Sequence, residues 1–277
     1  MVVDEYVQAR PCGRLRPYIA FYSGYRQAGV APARHRGLPS PYLTLIFTID
    51  EPVVVAGHPD PRQRPGSYPA LIGGLHLRPA LITHDGRQSG VQVALRPLGC
   101  RSLFGVPAAE LAGLDLAASD VLGGATVAEI RERMAAAPDW PGRFAAIDEV
   151  LGRRLHEPAR PEIAYAWGRL LRGDVPVAAV AAEIGWSGRH LTGQFRAEVG
   201  LRPKEVARVA RFDRARRALR PTGRLADIAA GHGFADQSHL VREFRALAGC
   251  PPSVWLAEEF GFVQAWLPGA EHDEAYD

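Results

Sequence analysis

The chain has 277 residues, 47% of them hydrophobic and 23% charged, with a formal net charge of +3 at pH 7. That length suits one large domain or two ordinary ones, and its 29 glycines and 23 prolines follow no G-X-Y period, which excludes a collagen and wholesale disorder. There is no run of 18 apolar residues for a membrane-spanning helix, no signal-peptide pattern at the N-terminus, and Cys12, Cys100 and Cys250 lie too far apart for a disulfide framework, so a soluble, cytoplasmic protein is expected.

The first part of the chain reads as β. Tyr42 to Ile49 alternates β-branched and aromatic residues, and the run resumes at residues 52–55 after a turn at Asp50-Glu51. Residues 70–77, 80–84 and 90–95 are further short apolar runs, punctuated by Gly57, Gly66, Gly86 and Gly90. Short strands with regular turns predict a small antiparallel β-barrel, cupin-like in kind. After Pro97 the period changes to that of helices, over 101–104, 108–114, 127–137 and 144–155, with Pro107, Pro138 and Pro141 at their borders. Pro158 and Pro161 mark residues 157–161 as a linker, since neither can continue a helix. From Glu162 the chain reads as helical. The expected organisation is an α+β two-domain fold: a barrel with a helical C-terminal part over 1–156, an all-α domain over 162–256, and an acidic tail over 257–277.

Aromatic and polar groups near the strands are the candidate ligand-binding residues: Tyr22, Tyr42, Phe47, His76 and Arg96, with Tyr18 and Phe21 beside them, although core packing or a domain interface accounts for most of these. His58, His76 and His84 lack the H-x-H pair and following Glu of a metal-binding cupin, so neither metal nor cofactor is expected. His76 and His84 are placed to meet across a hairpin turned at Arg78-Pro79, in structural roles. No Gly-rich phosphate loop, G-x-S-x-G elbow or H-E-x-x-H motif occurs, and no enzyme is expected.

The C-terminal part contains a repeat. Leu191, Phe195, Gly200 and Pro203 recur 49 residues later as Leu240, Phe244, Gly249 and Pro252, and Gly185-Trp186 recurs as Gly233-Phe234. Each copy has an Ala-rich helix, a turn whose glycine suits a left-handed residue, an N-capping Ser187 or Asp236, and a second helix. This is the helix-turn-helix pattern, whose second helix enters the major groove. Between the copies, Lys204 to Leu219 predicts a helix with Val206, Val209, Phe212 and Leu219 on one face, roughly 24 Å long at ~1.5 Å per residue. Such a spacer suits two reading helices about one DNA turn (~34 Å) apart. Residues 171–250 also carry 14 basic side chains against 8 acidic ones, as a polyanion-binding segment would.

On AAEIGWSGRHLTGQFRAEVGLRPKEV, RFDRARRAL and IAAGHGFADQSHLVREFRALAGCPPSVW, spanning Ile163 to Trp255, the chain resembles the AraC/XylS family of bacterial transcription regulators. The resemblance implies two helix-turn-helix units bridged by one long helix, reading two successive major grooves of promoter DNA. It also implies a homodimer that engages RNA polymerase, with an N-terminal barrel that senses a small molecule.

The residues sort onto faces. In the second copy Leu240, Phe244 and Leu247 face the core, while Ser238, Val241, Arg242 and Arg245 share another face beside Gln237 and His239. Arg242 suits bidentate contact with guanine O6/N7, and Gln237 suits adenine N6/N7. By the resemblance, Gln237, Ser238, His239 and Arg242 match groove-facing positions, as do Arg189, Thr192 and Gly193 in the first copy, with Arg196 next along. Gly193 departs from the long polar side chain common there, and Gly188 and Gly193 each weaken their helix by up to ~1 kcal/mol, so the first half-site is expected to be read loosely. Arg208, Arg211, Arg214, Arg216, Arg217 and Arg220 suit either phosphate contact or pairing with Asp213 and Glu205.

The reading is a sequence-specific transcription regulator, an activator controlled by a small-molecule effector. The alternatives are a regulator whose N-terminal domain only dimerises or binds a protein partner, and a barrel enzyme fused to a DNA reader.

Overall fold

The structure, a computed structural model, describes residues 2–173 and 175–259. Among these, ten strands form two antiparallel sheets. The strands are β1 (Val3–Ala9), β2 (Ile19–Ala28), β3 (Ala33–Gly37), β4 (Leu43–Thr48), β5 (Val53–Gly57), β6 (Gly66–Tyr68), β7 (Ala70–Gly73), β8 (Ala80–His84), β9 (Arg87–Leu95) and β10 (Asp115–Ala117). One sheet runs β1-β2-β9-β4-β7-β10, and the second runs β3-β8-β5-β6. The sheets face each other but do not close: among the described residues no strand pair joins them, and the three-residue edge strands β6 and β10 end the pairing. The expected barrel is therefore an open one.

Alternation along the strands decides what fills each face. Leu43, Leu45 and Phe47 of β4 pack with Tyr22, Ile72, Val91, Val93 and Leu95 on the outer face of the larger sheet. That face is covered by α1 (Gly99–Phe104), α2 (Ala118–Leu122), α3 (Gly124–Ala136) and α4 (Trp140–Gly152). Leu103, Ile130, Met134, Phe144 and Ile147 complete this core, and burying each such side chain stabilises the fold by roughly 1.5–3 kcal/mol. Trp140 comes so close to β2 at Gly24 that any side chain there would collide with the indole. The opposite face, between the sheets, holds only a small apolar cluster of Ile46, Val55 and Leu71 with Val53 and Tyr68. The main core thus lies between sheet and helices, not inside the barrel.

Seven helices follow: α5 (Pro161–Arg172), α6 (Val177–Glu183), α7 (Gly188–Val199), α8 (Pro203–Ala218), α9 (Leu225–Gly231), α10 (Gln237–Ala248) and α11 (Pro252–Glu259). Pro161 does not belong to a linker: it opens α5, where its missing N–H costs nothing. The helical core on the larger sheet runs on through Ile163, Trp167, Leu191, Phe195 and Val199. The second helix-turn-helix has its own core, of Phe212, Ile228, Phe234, Leu240, Phe244, Leu247 and Trp255, with Leu38 and Leu77 of the β part packed against it. The first unit is therefore fused to the N-terminal core and the second leans on it. Residues 257–259, expected in the acidic tail, complete α11, where burial of Glu259 and ion pairing to Arg36 hold them; the rest of that tail lies outside the described residues.

Candidate nucleic-acid interface and the cavities behind it

The two helix-turn-helix units are built alike. Gly185 and Gly233 each have φ +72°, the left-handed turn residue each unit needs. The N–H of Trp186 donates to the Ala181 carbonyl and that of Phe234 to the Ala229 carbonyl, at 2.8 and 3.0 Å. Ser187 caps α7 by accepting from the His190 N–H at 3.2 Å, and Asp236 caps α10 by accepting from the His239 N–H at 2.6 Å. Both helices end on left-handed glycines, Gly200 and Gly249.

A further equivalence went unread in the sequence. The His190 ring stands edge-on to Trp186 at 4.6 Å and the His239 ring edge-on to Phe234 at 5.4 Å. Nδ1 of His239 also accepts from the Ala235 N–H at 3.2 Å. These histidines brace the turns. His190 and His239 are 49 residues apart like the rest of the repeat, so the signal was in the sequence.

Arg189, Gly193 and Arg196 are exposed on α7, and Gln237, Ser238, Arg242 and Arg245 are exposed on α10. Thr192 and His239 are half-buried, and the Thr192 hydroxyl donates to the Gly188 carbonyl at 2.7 Å. Gly193 meets nothing within 4 Å, so the position equivalent to Arg242 presents bare backbone.

The arginines of α8 are largely engaged within the protein. Arg208 Nε donates to Glu243 of α10 at 2.6 Å, and Arg214 donates to the Leu171 carbonyl at 2.7 Å. Asp213 accepts from both Arg216 and Arg217, at 2.7 and 2.8 Å. Asp213 lies at their centre, its carboxyl held below the ordinary range by the two guanidiniums against the effect of burial. Glu205 instead takes the backbone N–H of Arg202 at the start of α8. Sequence reasoning missed Glu243, the side chain that ties α10 to α8.

The family described as "Helix-turn-helix domain" matches residues 180–258, covering both units. This match supports the resemblance of the helical domain to the AraC/XylS family of DNA-binding transcription regulators. Residues 7–117, which hold β2 to β10 and the end of β1, match a domain of unknown function (DUF6597). No curated protein matches the chain. Among solved structures, a single-residue variant of apo ToxT from Vibrio cholerae is 9% identical and covers 86% of this chain and 96% of its own, with a TM-score of 0.51. That likeness is one of fold. An AraC-type regulator from Chromobacterium violaceum is 22% identical over 39% of this chain and 96% of its own, with a TM-score of 0.33. The C-terminal domain of AraT from Geobacillus stearothermophilus is 19% identical over 35% of this chain and 84% of its own, with a TM-score of 0.33.

Beside the second helix-turn-helix unit, two cavities lie between the sheets. The larger, about 360 Å³, is lined by Tyr25, Glu51, His84, Asp85 and Arg87 among others. The smaller, about 100 Å³, is lined by sheet residues including Thr44, His76, Gln92 and Asp115, and by Arg216, Trp255 and Glu259 of the reader. Ile46 and Ile82 line both.

Of the five ligand candidates, His76 alone lines either cavity. Tyr22 and Phe47 sit in the helix-side core: Tyr22 stacks on Phe144 at 5.6 Å and donates its hydroxyl to Asp148 at 2.7 Å, and burial beside that carboxylate raises its pKa. Tyr42 stands edge-on to Phe21, and Arg96 Nε donates to the Arg16 carbonyl.

The histidines do not converge either. His84 lies beside His35, its ring 6.2 Å away across β3 and β8, rather than meeting His76. His58 is buried between Asp115 and the Arg64 carbonyl. No group of three or more His, Cys, Asp or Glu side chains among the described residues is placed to hold a metal. No helix among them is long and apolar enough to cross a membrane.

Proposed function

We propose that this AraC-type regulator is an effector-controlled transcription activator. In this reading residues 1–156 form the sensor and residues 162–256 the reader. Arg189, Thr192, Gly193 and Arg196 face one major groove; Gln237, Ser238, His239, Arg242 and Arg245 face the next. The regulator works as a homodimer on promoter DNA and contacts RNA polymerase. The observation that supports this best is the pair of equivalently capped helices, α7 and α10, whose polar faces are exposed on either side of the rigid α8.

The sensor's part is to alter how the two readers sit. An effector achieves that only by binding one arrangement more tightly than the other, and the cavities between the sheets offer it a place beside the second reader. Selection of binding sites from random double-stranded DNA by the full chain tests the reading. It should return two conserved blocks one helical turn apart, the block under α10 the more sharply defined. Enrichment of one block alone, or of none, would overturn it.

A second reading, in which the N-terminal domain only joins two copies, draws on β1, a seven-residue strand at the edge of the larger sheet. Sedimentation would then show a dimer that deletion of residues 2–9 dissolves.

A further inference from the structure

Two buried donors of the reader have no partner among the described residues, and both belong to residues lining the smaller cavity. They are Nε of Arg216, on α8, and Nε1 of Trp255, on α11. The Arg216 side chain is 6% exposed and Trp255 is 4% exposed, so bulk water does not serve them. Leaving a buried donor unsatisfied costs about 1–3 kcal/mol, more for a charged group, and native proteins rarely leave such groups unserved. The sheet side of the cavity supplies Thr44, Gln92 and His76.

Charge narrows what would serve them. Among the described residues Asp213 is the one carboxylate paired to both Arg216 and Arg217, so there this network carries two positive charges against one negative. Two carboxyls line the cavity itself, but each already has its nitrogen partner: Asp115 binds His58 at 2.8 Å and Glu259 binds Arg36 at 3.0 Å. A carboxylate brings two acceptor oxygens and the missing negative charge, and charge-assisted bonds of this kind are about twice as strong as neutral ones. The volume, about 100 Å³, admits only a small molecule.

We propose that the cavity shared by the sheets and the second helix-turn-helix is a binding site for a small carboxylate, which accepts from Arg216 Nε and Trp255 Nε1 and joins sensor to reader. This deepens the effector-controlled reading and rests on it for its regulatory meaning, but binding itself can be tested without DNA.

The test is a nitrogen-15 NMR titration of the full chain with propionate and with lactate, each compared with its amide. The expected result is a saturable shift of the Trp255 indole and Arg216 Nε–H resonances with the carboxylates, and at least tenfold weaker binding of the amides. Trp255→Phe should weaken carboxylate binding at least tenfold. Ala80→Val, which fills the cavity from the sheet side and keeps both donors, should abolish it. Resonances that no carboxylate moves, or that move equally in Ala80→Val, would overturn the proposal and leave the donors to water. Saturable binding that leaves affinity for the selected DNA site unchanged would sustain the site and sink the effector-controlled reading instead.

Discussion

Arg36 on β3 gives both its backbone N–H and its guanidinium to one oxygen of Glu259 on α11, at 2.8 and 3.0 Å. This contact joins the smaller sheet to the second helix-turn-helix, and Leu38 and Leu77 pack beside it. The first unit is attached differently: Arg101 of α1 grips Glu198 of α7 with two nitrogens, and the first unit shares the N-terminal hydrophobic core. Of the two helix-turn-helix units, the second is the one with a core of its own, touched by the N-terminal part at Leu38 and Leu77.

The Glu259 contact predicts a pH dependence. Burial pushes the Glu259 carboxyl up to about 7, against the pull of Arg36, from an ordinary value of 4.5. The folded state therefore holds this proton more tightly than the unfolded chain does. The stability gained is complete below 4.5 and lost as pH rises through about 7. The melting temperature should fall between pH 5 and pH 8, and Glu259→Gln, which cannot ionise, should flatten that part of the profile. Parallel profiles for the two proteins would mean that Glu259 is ionised throughout.

The glycines that close α7 and α10 should respond unequally to alanine. Both are left-handed, Gly200 at φ +91° and Gly249 at φ +73°. A Cβ at Gly200 would come within 2.5 Å of the Ala112 Cβ and 3.0 Å of the Ala109 Cα, in and just after the short helical turn Ala108–Leu111. At Gly249 it would meet only Pro79 Cγ, at 3.5 Å. Gly249→Ala should cost about 1 kcal/mol from backbone strain alone. Gly200→Ala should cost roughly 1–3 kcal/mol more, because overpacking adds to the strain. Urea denaturation of the two variants settles the order, and equal midpoints would show that the first unit yields at no cost.

The helix-turn-helix domain was legible in the sequence because its repeat fixes position as well as type. Leu191 and Leu240, Phe195 and Phe244, and Gly200 and Gly249 fall at equivalent places in two units with the same caps. The strand runs at 42–49, 80–84 and 90–95 also emerged, as β4, β8 and β9, but β1 to β3 were missed. Arg26, Arg34 and Arg36 interrupt apolar alternation in β2 and β3, and β1 is half-exposed.

Four of the five ligand candidates lie away from the two cavities for a different reason. Alternation reveals which residues share a face, not which face looks into the barrel, and here helices cover the outer face with the larger core. The most apolar candidates, Tyr22 and Phe47, consequently belong to that outer core, while the interior is lined by Thr44, Tyr25 and Gln92, residues with little pattern of their own. Long-range partners such as Arg36 with Glu259, 223 positions apart, leave no local signal.

This difference of face is itself testable at Tyr22. Its hydroxyl donates to Asp148 of α4, which also accepts from the Cys12 N–H at 3.0 Å. Tyr22→Phe should cost about 1–3 kcal/mol of stability by stripping a charged acceptor of a buried partner. It should leave the Trp255 and Arg216 resonances, and any ligand's effect on them, unmoved. A Tyr22→Phe protein of full stability that no longer responds to a ligand would place the hydroxyl in the binding site after all.

The last prediction separates base contacts from phosphate contacts. Arg242 is exposed, with no acidic partner among the described residues, and suits a guanine edge. Arg242→Ala should therefore cost about 1–3 kcal/mol on the selected site and little on random DNA. Arg208 spans the same two helices but is committed to Glu243 at 2.6 Å, with Arg211 4.0 Å from the same carboxylate. An arginine that bound phosphate would release a counterion condensed on the DNA, and its loss would lower the salt slope of binding by about 1. Arg208→Ala should leave that slope unchanged and weaken binding only as far as α10 loosens on α8. Affinities for the selected and random sites, measured by fluorescence anisotropy across a salt series, give both numbers. A slope lowered by about 1 in Arg208→Ala would mean that Arg208 abandons Glu243 for the DNA backbone, and that α8 binds phosphate as well as spacing the readers.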